Sequence, residues 1–220
     1  MHKILTPLIC LLTACANPAF AQTPPEWRDY FPLKVGLKWT YLVNDDAKKK
    51  DAKKKVVIEV EREEAYARKE TKNGNIVEEK YKGFILEISS GDKVQHDHVA
   101  VMESGVYRIH TAGTLINPPL LFFKFHIKSG ESWTIDSISS NASIKGTCTL
   151  GVEQVAVPYK GKHNAIFVSF SNDKPGDEKQ EIKYWFAKDI GMVKQHVKTK
   201  NHEITLTLEN FEQKKVQSAK

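Results

Sequence analysis

The stretch Glu181-Ile182-Lys183-Tyr184-Trp185-Phe186, followed by Ala187-Lys188-Asp189-Ile190-Gly191 and Met192-Val193-Lys194, decides the fold class. Successive side chains of a strand point to opposite faces, so Ile182, Tyr184 and Phe186 share one face. Trp185 falls on the other. Such a strand needs cover on both sides, and a sheet that half-wraps an apolar interior supplies it. Residues 187–191 read as a tight turn into the next strand.

Upstream, the same alternation recurs. Leu37 to Val43 reads as a strand with Trp39, Tyr41 and Val43 on one face and Lys38 and Thr40 on the other. It follows an aromatic-rich lead, Trp27 to Leu33, and a turn at Gly36. Val56 to Ala67 alternates Val56, Ile58 and Val60 against Val57, Glu59 and Glu61. Asn73-Gly74 is a hairpin signal, and Ile76 to Ser89 returns with Phe84, Leu86 and Ile88 on one face. Turns at Gly91 and Gly105 bracket two more strands, Lys93 to Met102 and Val106 to Thr111. This is an antiparallel meander at hairpin spacing.

The next segment breaks the pattern. Asn117-Pro118-Pro119 is excluded from a central strand because proline donates nothing to a ladder. Leu120 to Phe125 is then the densest apolar run after the leader, and reads as a buried strand or as a flap over the sheet. A strand resumes at Trp133, Ser137 to Ser143 reads as polar loop, and Ile144 to Val157 is a long strand. Gly146 and Gly151 within it predict bulges or sharp curvature. Asn164 to Ser171 and Glu203 to Phe211 complete roughly ten or eleven strands. The expected fold is mainly β, a single curved antiparallel sheet forming a half-barrel or open barrel with little helix.

The chain opens with Met1-His2-Lys3, an uncharged apolar run from Ile4 to Ala16, and Pro18-Ala19-Phe20-Ala21. These are the parts of an export signal, predicted to be cut after Ala21. The alternative is the lipobox-like Leu12-Thr13-Ala14-Cys15, in which Cys15 would carry the lipid. The expected organisation is a signal at 1–21, one β domain at 22–212 and a flexible tail at 213–220, in an exported, periplasmic or secreted protein. No later apolar run reaches the roughly 20 residues of a transmembrane helix. Of three cysteines, only Cys148 would survive cleavage, so no disulfide within the chain is expected. Net charge is +6, or +5 once Lys3 is lost, which favours anionic surfaces without requiring one.

Four motifs, in order, resemble a broad group of secreted bacterial proteins that includes the TapB-like ones. They are Phe31-Pro32-Leu33 with Gly36, Trp39 and Tyr41; Gly130-Glu131-Ser132-Trp133; Glu153-x-Val155-x-Val157-Pro158 with Gly161; and Tyr184-Trp185 with Gly191-x-Val193-Lys194. Tyr159-Lys160 departs from the pattern, where a single alanine is expected. The resemblance implies a curved sheet similar to the half-barrels of the lipoprotein carriers (LolA/LolB-like), and no catalytic residues. It is an argument about fold, and folds do not fix functions.

Two clusters suggest chemistry. In His96-Asp97-His98 the two imidazoles share a face and could share an ion, with a third ligand such as His110 or Glu103 from the neighbouring strand. Two ligands do not close a site, so no metal is assigned. The carboxylates Glu59, Glu61 and Glu63 read as the wet face of their strand. The second cluster is basic: Lys48, Lys49, Lys50, Lys53, Lys54 and Lys55 crowd nine residues. Each lysine near an anionic envelope surface contributes roughly 1 kcal/mol, although such runs are usually only solvated. No aromatic platform accompanies them, so nucleic acid is not an expected partner. Nucleophile, phosphate-loop and zinc-protease motifs are absent, and no cofactor is expected.

The aromatic set remains. Trp39, Tyr41, Phe84, Leu121, Phe123, Trp133, Tyr184 and Phe186 are the candidate lining of an apolar groove; the bland reading makes the same residues plain core. The expectation is a non-enzymatic binding module for an apolar or lipid-like small molecule. The alternative is a structural or interaction protein with a filled core that acts through its basic loop.

Overall fold

The computed structural model describes residues 27–45, 54–72, 75–140, 142–172 and 179–213. The export signal with Cys15, the Asn73-Gly74 turn, Lys48, Lys49, Lys50 and Lys53, and the tail after Gln213 lie outside the described residues. A short 3-10 turn, Trp27–Tyr30, precedes twelve strands. These are β1 (Leu37–Asp45), β2 (Lys55–Lys72), β3 (Asn75–Ser90), β4 (Lys93–Met102), β5 (Gly105–Thr111) and β6 (Thr114–Lys124). β7 (Ser132–Ser139), β8 (Ala142–Val157), β9 (Gly161–Ser171), β10 (Glu181–Ala187), β11 (Gly191–Lys198) and β12 (Glu203–Gln213) follow. No helix among the described residues is long and apolar enough to cross a membrane.

Every strand pairs antiparallel with its sequence neighbours, and β1 pairs with β12, so the sheet closes. The expected half-barrel or open barrel is therefore corrected to a closed barrel. Closure rests on one long-range register, in which Trp39 sits opposite Phe211 and Tyr41 opposite Leu208. Closure removes the edges that an open sheet would expose.

β6 carries the two prolines and is nonetheless a wall strand. Its ladder to β7 consists of Ile116↔Ser139 and Asn117↔Ile138 and stops at Pro118, where the missing N–H would end it. Beyond that point the Trp133 indole N–H donates to the Leu121 carbonyl at 3.1 Å, in place of a ladder bond. Of the two readings of Leu120 to Phe125, the strand therefore holds and the flap does not. An offset in the β5–β6 register skips Phe122, and Phe122 and Phe123 are both buried although adjacent.

Two further expectations change. Gly146 and Gly151 carry no bulge, since β8 keeps an unbroken register with β7 and β9. They make room instead: a Cβ on Gly151 would lie 2.2 Å from the Phe167 ring, and one on Gly146 2.5 Å from the Phe170 ring. The polar loop expected at Ser137 to Ser143 shrinks to a tight connection between β7 and β8, which pair from Ser132↔Thr149 to Ser139↔Ala142.

The interior is filled unevenly. Leu150, Ile166, Val168 and Phe170 pack it densely beside β8 and β9. Elsewhere the segment before β1 enters it. Phe31 lies 5.7, 6.1 and 5.5 Å, centroid to centroid, from the rings of Phe122, Phe123 and Phe186. The segment is tied down by Asp189 N–H to the Asp29 carbonyl at 2.8 Å and by Lys188 to Asp29 at 3.3 Å. The β8–β9 tip also crosses to β12, with the Tyr159 N–H bonded to the Leu208 carbonyl at 2.9 Å.

Candidate functional site

Phe31 and Leu33 stand between two hollows. The larger, about 350 Å3, is bounded by β1–β6 on one side and β10–β12 on the other. Of the candidate groove residues, Trp39, Tyr41, Tyr184 and Phe186 line it, joined by Ile58, Leu86, Phe122 and Leu206. The smaller, about 310 Å3, is lined by Phe84 with Val101, Val106 and Phe125. Phe123 and Trp133 are core residues outside both linings, and Leu121 is a partly buried wall residue. The alternation within each strand was legible. The division of the barrel by Phe31 was not, because the lead to β1 has no strand periodicity.

Trp39 and Tyr41 use their polar ends on β11. The Trp39 indole donates to the Ile190 carbonyl at 2.6 Å and the Tyr41 hydroxyl to the Met192 carbonyl at 2.8 Å. β12 pairs with β11 only up to Thr207↔Lys194, so these two carbonyls lie beyond that ladder. Burial pushes the Tyr41 phenol well above its ordinary pKa, so it stays a donor.

One polar group interrupts the apolar wall. Asp97, 4% exposed, faces the cavity from β4. Its Oδ1 accepts from the Ala112 N–H at 3.1 Å, and its Oδ2 lies 3.4 Å from Arg108 Nε. That Nε is buried and close enough to attract Asp97, yet it has no hydrogen-bond partner. The guanidinium lies 4.8 Å from the centre of the Phe122 ring and bonds the Tyr184 phenol. Burial raises the Tyr184 pKa, and the Arg108 charge offsets part of the rise. At the far end the cavity meets Val56, Ile88, Gln95, Thr111 and Gln195, with Gln95 exposed. The barrel end that carries Val56 also carries Lys54 and Lys55, both exposed, and Lys55 is ion-paired to Glu209 at 2.6 Å.

Trp185 faces away from the cavity and is still only 6% exposed. Its cover comes from side chains of the sheet itself. Lys183 and Lys194 each place Nζ 4.8 Å from its ring, and its indole N–H donates to Glu153. Partial burial alone would raise the Glu153 carboxyl; the bonds from Trp185 and Lys183, with the charges of Lys183 and Lys194, outweigh it and hold the pKa below the ordinary value.

His96 and His98 do share a face, the one away from the cavity, as expected. Of the two neighbours expected, His110 stands beside His98 and Glu103 beside neither, and carboxylates of β2 and β3 join them. His96 Nε2 lies 3.4 Å from Glu61, and the ligand atoms of Glu61, Glu87 and His96 all fall within 4.8 Å of one another. His98 Nδ1 lies 3.0 Å from Glu64, and its ring is 4.7 Å from that of His110. Glu103 is exposed in the β4–β5 turn. Glu64 reaches His98 because of a register offset in β2: Val60 pairs with Leu86 and Arg62 with Ile85, which leaves Glu61 as an extra residue. The offset breaks the expected sharing of one face by Glu59, Glu61 and Glu63. Glu63 sits opposite Phe84, while Glu64 sits opposite Gly83 and reaches His98.

Cys148 is a buried strand residue, and burial raises its thiol pKa to about 12. Lys145, the cation three residues before it in the sequence, is engaged with Asp136 at 2.8 Å.

No protein-family model matches the chain, and no curated protein matches it. Two solved structures resemble it. One is an exported-protein candidate with a YmcC-like fold from Bacteroides fragilis, 12% identical over 83% of this chain and 98% of that one, with a TM-score of 0.48. The other is a lipoprotein candidate from Parabacteroides distasonis, 11% identical over 83% and 98% of the two chains, with a TM-score of 0.45. Neither is described as TapB-like or as a lipoprotein carrier.

Proposed function

We propose that this chain is an exported, non-enzymatic module of the cell envelope that holds an apolar or amphipathic small molecule at one end of its barrel. The observation that carries the reading is the cavity of about 350 Å3 between Phe31 and Gln95. Its size and its mix of many apolar groups with a few convergent polar ones are those of ligand sites. Trp39, Tyr41, Tyr184 and Phe186 would hold the apolar part, and Arg108 with Asp97 would orient a polar end. The export signal read from residues 1–21 supports an envelope location, with Cys15 as the alternative anchor. Lys54 and Lys55 bring basic charge to the end where the cavity meets Gln95, which suits contact with an anionic envelope surface.

The test is native mass spectrometry with lipid extraction of protein purified from its own host, paired with a variant, Ile58→Trp, that fills the cavity. Co-purified apolar ligand in the wild type and its loss in the variant, at unchanged secondary structure, supports the reading. An empty wild type that also takes up no fluorescent fatty acid overturns it. That result would leave the structural or interaction reading, which the dense packing beside β8 and β9 favours.

A further inference from the structure

The face of β2, β3 and β4 turned away from the cavity carries a second group of converging side chains. Glu87 sits directly opposite His96 in the β3–β4 ladder. Glu61 reaches the same point because the bulge in β2 inserts it between the pairs at Val60 and Arg62. Bulges re-aim side chains in this way beside functional sites. The result is one imidazole and two carboxylates, from three adjacent strands, with ligand atoms within 4.8 Å of one another.

We propose that Glu61, Glu87 and His96 form a site for a divalent first-row cation, with zinc as its probe ion. Two carboxylates at this spacing repel each other; Arg62, 2.5 Å from Glu61 Oε1, offsets part of that charge, and a doubly charged cation bound through the other oxygen, Oε2, would cancel the rest. Tetrahedral zinc with bonds of about 2.0–2.2 Å needs ligand atoms roughly 3.3–3.6 Å apart. His96 and Glu61 already stand at 3.4 Å, and the Glu87 ligand atom lies within 4.8 Å of both, so binding would require the three to draw together by about 1 Å or less. Three protein ligands leave a fourth position for water or an external ligand. The donors are nitrogen and oxygen, a set that suits zinc or manganese over thiolate-seeking ions; the thiol of Cys148 is buried in the core cluster and takes no part. The neighbouring set, Glu64, His98 and His110, comes from β2, β4 and β5, with Glu64 3.0 Å from His98 and the two imidazole rings 4.7 Å apart. Bound metal would cross-link β2, β3 and β4 at the bulge, where the ladder is interrupted.

The experiment uses the untagged full chain, stripped with chelator, then titrated with zinc by calorimetry and checked for content after dialysis. The expected result is one zinc per chain and a higher melting temperature with metal. His96→Ala and the near-isosteric Glu87→Gln should each weaken binding about tenfold or more. His126→Ala, at an exposed histidine outside the cluster, should leave it unchanged. Circular dichroism of the metal-free variants confirms that they fold. Binding that survives His96→Ala, binding lost instead in His98→Ala and His110→Ala, or no stoichiometric binding in the wild type overturns the proposal.

Discussion

Replacing Trp185 by alanine tests whether a side chain facing away from the barrel interior can contribute as much as one inside it. At 6% exposure the indole is removed from water almost completely. A tryptophan buries about 150–250 Å2, which at about 25 cal/mol per Å2 gives an upper figure of roughly 4–6 kcal/mol. Buried Trp→Ala changes cost about 3–5 kcal/mol. Here the cover is Lys183 and Lys194, whose stems can collapse into the gap, so the expected loss is at the low end, about 3 kcal/mol. For a domain of this size that lowers the melting temperature by about 6–12 °C, and urea denaturation should shift its midpoint at constant slope.

The pH dependence follows from Glu153. Its folded pKa lies below the ordinary value, so its contribution is present above the unfolded glutamate pKa of about 4.3 and fades as pH falls through the folded value. Trp185→Ala removes one of the bonds that lower that pKa. The gap between wild type and variant should therefore narrow slightly below about pH 4 and stay nearly constant above pH 5. The carboxylate is substantially exposed, which keeps this part small. A total loss under about 1 kcal/mol at pH 7 would refute the burial of the ring and the role of the lysines as its cover.

Three other outcomes follow. Gly151→Ala should destabilise by about 1–3 kcal/mol, as overpacked cores do, because the new Cβ would overlap Phe167; the double variant Gly151→Ala, Phe167→Leu should recover part of the loss in thermal melts. Tyr41→Phe should cost about 1–3 kcal/mol in urea titration by orphaning the Met192 carbonyl, with no change in strand content by circular dichroism. Cys148 should resist a thiol reagent at pH 8 in the folded protein, since its pKa is about 12 and it is buried, and should react only at the rate of unfolding; prompt labelling would show the strand to be open there.

The fold was legible wherever its cause was local. Period-two alternation placed Tyr184 and Phe186 on the cavity face and Trp185 opposite, and turn residues placed the hairpins. Closure was not legible. It depends on β1 meeting β12, and no property of Trp39 announces Phe211 as its neighbour. The wall strand β6 was obscured by Pro118 and Pro119, which break its ladder on the β7 side without removing it from the sheet. At the candidate sites, Trp39, Tyr41, Tyr184 and Phe186 emerged from alternation alone. Phe31 did not, because it enters the barrel from a segment without alternation. The Glu64–His98 pairing was hidden by the single extra residue at Glu61, since one inserted residue moves every later side chain of its strand to the other face.

The short β6–β7 ladder gives the cylinder a clasp. Every other junction is stitched along five or more facing residues, whereas this one holds by two, and an indole pins it beyond them. When the barrel breathes, amide protons near the clasp should exchange with solvent before those of the β8–β9 ladder.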